Sequence, residues 1–313
     1  MYLRSALVIA CWLCAVSVCL AQSAADEAAF PVVPELFADE PFSRCEGLAF
    51  NGEGRLFATC DRAFWEILPD GSGKKLVELD SNLGLAAVGE RDLLVADFGP
   101  TNAFRHDRNS DGVVWRITPE GERSVDSAGF GDPNFVLVLP NGDYLVSDDA
   151  TADIYIVDAE KNVRLYSTAV NHPNGLVLSN DYRRLYVAQI FTSIRPVAPD
   201  NTVWSLRLTD LKPAGRASLV ARTGPGGAND GLAMDADGRL YIAANGEGRI
   251  WRLDPRTDEL ILIAEGMPGA ASIAFGMGAF DASSIYVTTT FAAGLGGKIW
   301  RIPVGASAGT LHR

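Results

Sequence analysis

The chain of 313 residues repeats one short pattern along most of its length. Each copy is an apolar run, a turn rich in glycine, asparagine or aspartate, and a second apolar run, which together predict a β-hairpin. Clear copies begin at Cys45, His172 and Asn229, and looser copies begin at Asp132 and Ala271. Recurrence at intervals of roughly 40–55 residues is typical of a β-propeller, in which each repeat is one blade.

Further apolar runs after each hairpin complete blades of three or four strands. The last repeat supplies only three, and we expect Val33–Ala38 to provide its outer strand and close the ring. The sequence therefore predicts an all-β, six-bladed β-propeller with an irregular insertion at Phe191–Ala198 in the fourth blade. Tryptophan recurs in the third strand of four blades, where we expect it to pack blade against blade: Trp115, Trp204, Trp251 and Trp300.

Residues 1–21 are predicted to be a signal peptide. Arg4 precedes an apolar stretch, and Ala21 fits a cleavage site after a small residue. An uncleaved membrane anchor and a lipoprotein attached at Cys19 are the alternatives, although the apolar run is shorter than the roughly 18–20 residues that a membrane span needs. We expect residues 22–313 to form one periplasmic or secreted domain that leaves the membrane after cleavage.

The net charge of −12 argues against nucleic acid and anionic membrane surfaces as partners. An acidic exported protein is instead suited to holding divalent cations.

Cys45 and Cys60 flank the first hairpin and would lie opposite each other or one residue apart. Because export permits oxidation, we expect a disulfide between them. The loop that it closes is short, so the entropic stabilisation is modest. A metal or redox role would need more partners than two cysteines.

Four repeats carry an acidic or amide residue at the start of the innermost strand: Glu46, Asn134, Asn174 and Asp230. Equivalent positions on the inner strands of a propeller converge on its axis. Oxygen ligands of this kind suit Ca²⁺, with Mn²⁺ or Mg²⁺ as alternatives, and two carboxylates leave the cation able to polarise a carbonyl. No histidine and cysteine set is spaced for zinc. The alternative is that these are ordinary turn residues. This alternative explains any one of the four positions, but it explains less well why such residues recur in four blades.

The segments EGLAF at 46–50, PNGL at 173–176 and NDGLAMDADGRLYIA at 229–243 resemble the senescence-marker-protein/gluconolactonase (regucalcin-like) family. Paraoxonases and strictosidine-synthase-like proteins are more distant relatives. The resemblance implies a six-bladed propeller with one divalent metal, and a hydrolase of lactones or, in some members, organophosphate esters. It implies metal ligands at Glu46, Asn174 and Asp230, with Asn134 beside metal and substrate and Asp230 as the proposed general base.

Two positions depart from the family pattern. Sugar-lactone members usually carry an arginine two residues before the asparagine at Asn134, where this chain has Asp132. They often have an aspartate after that asparagine, where this chain has Phe135. We place Asn134, Asp132 and Phe135 at the substrate and expect a less polar lactone or ester than gluconolactone.

Three residues are candidates for the general base. Asp230 is implied by the resemblance, but a bound cation lowers the pKa of a ligand carboxylate and weakens it as a base. His172 titrates near neutrality, although its alternative role is that of a loop residue before Pro173. Asp149 follows the second strand of the third blade and is expected at the same end of the ring.

A second cation site is an alternative for the segment Asp107-x-Asn109-x-Asp111-Gly112, which alternates oxygen-bearing residues like a calcium loop. The twelfth position of an EF-hand would be Thr118, so the segment is not an EF-hand. An ordinary polar hairpin loop is the preferred interpretation.

The predicted function is a divalent-metal-dependent hydrolase of small lactones or esters. A non-catalytic propeller that binds a partner is one alternative. A lyase of the strictosidine-synthase type is another, with His172 as its acid or base. Phe191, Phe291 and Leu295 are apolar loop residues that suit either a partner surface or a substrate pocket.

Overall fold

The computed structural model describes residues 29–39, 41–101, 109–290 and 296–310. Over these ranges every regular secondary-structure element is a β-strand. No helix of the described residues has the length and hydropathy to cross a membrane. The predicted signal peptide lies outside the described residues and stays a prediction.

Over the described residues the strands build seven antiparallel sheets, of which six are the blades and one is a short two-stranded hairpin. In chain order they are β1 (Glu35–Ala38), β2 (Cys45–Phe50), β3 (Leu56–Cys60), β4 (Ala63–Ile67), β5 (Gly73–Glu78), β6 (Leu85–Val88), β7 (Asp92–Asp97), β8 (Gly112–Ile117), β9 (Arg123–Phe130), β10 (Pro133–Val138), β11 (Tyr144–Asp148), β12 (Ile154–Val157), β13 (Val163–Ser167), β14 (Pro173–Leu178), β15 (Arg184–Gln189), β16 (Phe191–Ile194), β17 (Val197–Pro199), β18 (Thr202–Thr209), β19 (Lys212–Pro213), β20 (Ser218–Arg222), β21 (Asn229–Met234), β22 (Leu240–Ala244), β23 (Arg249–Asp254), β24 (Glu259–Glu265), β25 (Ala270–Phe275), β26 (Ser284–Thr289) and β27 (Ile299–Pro303).

The six blades use these strands from the axis outward. Four blades use consecutive strands, the fourth blade passes over its inserted strands, and the last blade takes β1 as its outer strand. The innermost strand of each blade begins at the same end of the ring, which we call the mouth. The blades are β2–β5, β6–β9, β10–β13, β14-β15-β18-β20, β21–β24 and β25-β26-β27-β1. The predicted six-bladed β-propeller is therefore confirmed.

The ring closes through β1, as predicted. This strand pairs antiparallel with β27, and Leu36 lies opposite Trp300. It begins at Glu35 rather than Val33, because the backbone N–H of Val32 donates a hydrogen bond to the carbonyl of Ile263 in the fifth blade at 2.8 Å. The chain before Glu35 is thus held by a different blade.

The insertion in the fourth blade is regular rather than irregular. Its strands β16 and β17 form a hairpin of their own at the mouth, with Phe191 opposite Pro199 and Ile194 opposite Val197. The sequence pattern missed this hairpin because it has only a few residues on each side and no glycine turn.

The hydrophobic core lies between neighbouring blades. Between the first two blades, the buried rings of Phe57 and Phe64 stack at 5.2 Å and pack against Leu93 and Ile117. Trp115 packs against the same cluster, in the role predicted for the recurring tryptophans. Burial of apolar side chains therefore holds neighbouring blades together, and the polar groups lie at the mouth end of the axis.

The disulfide between Cys45 and Cys60 is present. The two residues are directly paired across β2 and β3, and both are fully buried. The bond fixes the start of the inner strand next to Glu46.

Buried hydroxyl groups also join adjacent blades near the mouth. Thr288 of the sixth blade accepts a hydrogen bond from the backbone N–H of Ser272 and donates one to the carbonyl of Glu46 in the first blade. Each such hydroxyl satisfies a donor of its own blade and an acceptor of the next. The same pair of bonds is made by Thr59, to Gly47 and Leu83, and by Ser147, to Phe135 and Asn174.

We predict that Thr288→Val destabilises the protein by about 1–3 kcal/mol, because it leaves the buried N–H of Ser272 and carbonyl of Glu46 without partners. Urea denaturation measures this loss. Thr209→Val, at an exposed threonine, is the control and should change stability by less than about 0.5 kcal/mol. Equal midpoints for the two variants would contradict the role of the hydroxyl.

Candidate functional site

The four predicted ligands occupy equivalent places at the mouth. Glu46, Asn134, Asn174 and Asp230 are each the second residue of an innermost strand, in β2, β10, β14 and β21. All four are buried, with at most 5% of each residue exposed. The structure therefore brings the predicted residues to the same level of the ring.

A register shift lies at this level in each of the four strands. In β14, for example, Pro173 pairs with Gln189, but regular pairing resumes only at Leu176. Such bulges bend a strand and redirect the side chain at the bulge. The corresponding shifts in the other three strands lie between Cys45 and Leu48, Pro133 and Phe135, and Asn229 and Leu232.

Glycine follows three of the four residues because the next blade approaches closely there. A Cβ atom on Gly175 would lie 2.2 Å from the carbonyl oxygen of Asp230, and one on Gly231 would lie 2.5 Å from that of Ala271. Since neither oxygen can move without breaking the ring, larger residues are excluded. The recurring glycine of the sequence pattern is thus a packing requirement of the axis.

Asp149 joins this cluster, as predicted. It directly follows β11 and is 4% exposed. Its Oδ2 accepts a hydrogen bond of 3.0 Å from the side-chain amide of Asn134. Three carboxyl groups, those of Glu46, Asp149 and Asp230, therefore lie near enough to one another for their charges to interact.

Burial dominates the electrostatics of the cluster. It raises the pKa of Glu46 well above the usual range, and the charges of Asp230 and Asp149 add to the shift. Burial likewise raises the pKa of Asp149. It raises the pKa of Asp230 to about 7, against a hydrogen bond from Asn245 that opposes the shift. Three buried carboxyl groups that resist ionisation call for a positive charge.

The sign of the linkage follows from these directions. A carboxyl group has a pKa of about 4 in the unfolded chain. Because the folded-state pKa is higher, for Asp230 about 7, ionising the cluster costs stability as the pH rises from about 4 through 7. A cation bound at the axis would offset that cost.

Several buried polar atoms of the cluster have no hydrogen-bond partner among the described residues. They are Oδ1 of Asp149 and both side-chain atoms, Oδ1 and Nδ2, of Asn174. Buried polar atoms are normally satisfied, so orphaned oxygens at one place indicate a missing partner. An oxygen-rich set of carboxylates and carboxamides fits a hard divalent cation. Among the described residues, no three Asp, Glu, His or Cys side chains are close enough together to form a metal site by themselves. A cation at the axis would therefore also need the side-chain oxygens of the two asparagines.

An apolar cavity of about 170 Å³ lies along the axis below the cluster. Its wall includes Leu48, Val136, Leu176 and Leu232, each two residues beyond one of the four candidate ligands. The inner strands are therefore apolar directly after the buried carboxyl groups, and apolar surroundings raise the pKa of a carboxyl group.

His172 lies beside the cluster and not in it. Its Nδ1 is 2.8 Å from the carbonyl oxygen of Asp149. Because a carbonyl only accepts hydrogen bonds, Nδ1 carries the proton of the neutral ring and Nε2 is left as the acceptor. The backbone of His172 has a left-handed φ of 46°, and its ring packs edge-on to Phe191 at 6.3 Å.

Asp132 and Phe135 lie on either side of Asn134 in the chain, and the charge of Asp132 adds to the raised pKa of Asp149. Asp132 is fully buried, and its Oδ1 accepts a hydrogen bond of 2.6 Å from Asn109. The ring of Phe135 packs against Gly84, where an added Cβ would lie 2.9 Å from it, and lines the axial cavity. Their role at the substrate stays a prediction.

Asn245 is a site residue that the sequence analysis missed. Its side-chain amide donates a hydrogen bond of 3.2 Å to Oδ2 of Asp230. It is the first residue after the second strand of its blade, as Asp149 is in the third blade. Aligning the ends of the second strands, and not only the starts of the first, would have found it.

Asp107, Phe291 and Leu295 lie outside the described residues, so the second cation site is tested only in part. Asn109 donates to the carbonyl of Gly131 at 3.0 Å, and Asp111 accepts from the hydroxyl of Thr101 at 2.7 Å. Both side chains thus have hydrogen-bond partners within the protein, and the polar-loop interpretation stays a prediction.

Comparison with known proteins gives a family match over residues 109–291, to the family described as the SMP-30/Gluconolactonase/LRE-like region. Among curated proteins, regucalcin of Sus scrofa is 27% identical over 135 residues, which is 43% of this chain and 43% of that protein. The match thus spans less than half the length of this relative.

Two solved structures show the same fold over nearly their whole length. The calcium-binding protein regucalcin from Agrobacterium tumefaciens superposes with a TM-score of 0.70 at 21% identity, covering 91% of this chain and 98% of that one. A gluconolactonase from Xanthomonas campestris superposes with a TM-score of 0.65 at 18% identity, covering 87% of this chain and 95% of that one. At these identities the likeness establishes the fold alone.

We predict that Ca²⁺ raises the unfolding temperature and that EDTA reverses the shift, because the cation relieves the buried carboxylates. At a hundredfold excess over Kd the gain is about 2.7 kcal/mol. Asp230→Asn and Asn174→Ala should lose most of the shift, whereas Asp258→Asn, at an exposed turn of the same blade, should keep it. A calcium shift that survives both cluster variants would refute the assignment of these ligands.

Proposed function

This chain belongs to the SMP-30/gluconolactonase/LRE-like family, and on that premise we propose that it is a calcium-dependent hydrolase of lactones or related esters. The observation that carries the proposal is the set of buried, unpartnered oxygens at the axis, on Asp149 and Asn174. Gluconolactonase and regucalcin, the names of its relatives, support the same class of chemistry and the same cation.

Glu46, Asn174 and Asp230 would hold the cation, with Asn134 beside it. A cation bound there would act as a Lewis acid on the carbonyl of the substrate. Glu46 and Asp230, when ionised, together balance the two positive charges of such a cation. Asn134 holds Asp149 through its side-chain amide, which leaves that amide's oxygen for the cation or the substrate.

We propose Asp230 as the group that takes the proton from the attacking water. Its Oδ2 accepts a hydrogen bond from Asn245, which fixes the carboxylate and leaves Oδ1 for the cation and the water. Asp149 is the alternative base, because its Oδ1 is buried and has no hydrogen-bond partner within the part of the chain that the structure describes. The hydroxide then adds to the carbonyl carbon, and the ring oxygen of the lactone leaves with a proton returned from the base.

The proposed substrate is less polar than a sugar lactone. The position where sugar-lactone members carry an arginine is Asp132, which is buried and bonded to Asn109. Close to the cluster, the mouth presents the rings of His172 and Phe191 in edge-on contact. These surfaces favour an alkyl or aryl substituent on the lactone over a row of hydroxyl groups.

We predict turnover of lactones that EDTA abolishes and Ca²⁺ restores. Proton release from a panel that runs from sugar lactones to alkyl-substituted lactones and aryl esters measures it, and the alkyl lactones should give the highest kcat/KM. If folded, calcium-loaded protein turns over nothing on the panel, the propeller is a binding protein or a non-hydrolytic enzyme.

We predict that Asp230→Asn, assayed at saturating Ca²⁺, lowers kcat by at least about a hundredfold, since it removes the general base. His172→Asn should stay within about threefold of the parent protein, because asparagine tolerates the left-handed backbone at this position. Full activity in Asp230→Asn together with loss in Asp149→Asn would transfer the base to Asp149.

A further inference from the structure

The fourth blade carries a positively charged cleft at the end of the ring opposite the mouth. β14 begins beside the axial cluster and ends at Leu178, so the turn after it and the turn after β18 lie at the far end. These turns and Pro140 of the third blade enclose a cleft of about 780 Å³. The charged side chains that line it are Arg183, Arg184, Arg207, Asp181 and Asp210.

Two of these arginines face each other on neighbouring strands. Arg184 of β15 is directly opposite Arg207 of β18, so both side chains project from the same face of the sheet. Like charges in directly opposite positions repel and destabilise a sheet. Arg184 donates a hydrogen bond of 3.2 Å to the hydroxyl of Ser205, and Nη2 of Arg207 lies 3.7 Å from where a Cβ of Gly215 would be.

No carboxylate in the described ranges forms an ion pair with any of the three arginines of the cleft. The fifth blade shows the contrast. There Arg239, which also directly precedes the second strand, forms ion pairs of 2.7 Å with Asp235 and Asp237. In the fourth blade the corresponding residue is Arg183, whose charge acts on Asp181 without a described ion pair between the two side chains.

The two aspartates of the cleft do not neutralise it. Asp181 accepts hydrogen bonds from the hydroxyl of Ser179 at 2.6 Å and from the backbone N–H of Arg183 at 3.1 Å. These bonds lower the pKa of Asp181, to which the charge of Arg183 also contributes, and they hold the carboxylate to its own turn, so that Asp181 offsets only part of the charge of three arginines. Asp210 is exposed on the other turn. A local excess of positive charge therefore remains in a chain whose net charge is −12.

We propose that this cleft binds an oxyanion of the phosphate type, between Arg184 and Arg207 with Arg183 at the rim. The guanidinium fork matches two oxygens of a phosphate group, and an anion between the two arginines replaces their repulsion by two charge-assisted pairs. The volume admits a small phosphate ester or the headgroup of an anionic phospholipid. The site lies at the other end of the ring from the axial cluster and does not depend on the function proposed for it.

Isothermal titration of the full chain with inorganic pyrophosphate, in a low-salt buffer free of phosphate, tests the proposal. We expect saturable binding with one site per chain. Arg184→Gln and Arg207→Gln should each weaken it by about tenfold or more, which is about 1.4 kcal/mol. Arg222→Gln removes an exposed arginine from the mouth end of the same blade and should leave binding unchanged.

Two further variants separate binding from folding. Without anion, Arg207→Gln should unfold at the same temperature as the parent or higher, because it removes a repulsive pair. Asp210→Asn should tighten binding. No saturable binding by the parent chain, an equal loss in Arg222→Gln, or a lower unfolding temperature for Arg207→Gln would each overturn the proposal.

Flotation with vesicles identifies the source of the phosphate group. The cleft is assigned to a lipid headgroup if the protein binds phosphatidylglycerol vesicles but not phosphatidylcholine vesicles, and if pyrophosphate displaces it from the former. Pyrophosphate binding without vesicle binding assigns it to a soluble phosphate ester.

Discussion

The burial of Glu46, Asp149 and Asp230 together at one end of the axis is the constraint on which the rest of the site depends. Charged groups are costly to desolvate, and here the apolar cavity below the cluster and the neighbouring charges add to the cost. A protein of marginal stability keeps such an arrangement only if something offsets it. In the function proposed above, a divalent cation held by carboxylates and carboxamides would do so, and it would supply the positive charge that hydrolysis of a carbonyl substrate needs.

The propeller can hold this cluster because the same contacts that close the ring also fix the backbone of the candidate ligands. The hydroxyl of Thr288 binds the carbonyl of Glu46, and that of Ser147 binds the carbonyl of Asn174. The bulge in each inner strand then directs the side chain at that point, while the disulfide at Cys45 anchors the strand beside Glu46. The same interactions thus stabilise the ring and fix the geometry of the site.

The fold could be predicted from the repeat, because few architectures are compatible with a hairpin pattern of fixed period. Equivalent positions in the aligned repeats identified Glu46, Asn134, Asn174 and Asp230. Asp149 could be placed because it ends a strand whose partner was already assigned. The bulges and hydroxyl bonds could not be predicted, since both arise where two blades meet and neither has a local signal. Asn245 was missed because only the starts of the innermost strands were aligned, and the short hairpin from Phe191 lacks the glycine turn by which the other hairpins were found.

The central claim is that one divalent cation lies on the axis between Glu46, Asn174 and Asp230. The most direct test is anomalous diffraction from crystals grown with Ca²⁺ and then exchanged into Mn²⁺, recorded at the manganese edge. A single strong peak among these three side chains, absent from crystals of Asp230→Asn, is the predicted result. An axis without a peak in crystals at saturating cation, with the carboxyl groups hydrogen-bonded to one another, would contradict it.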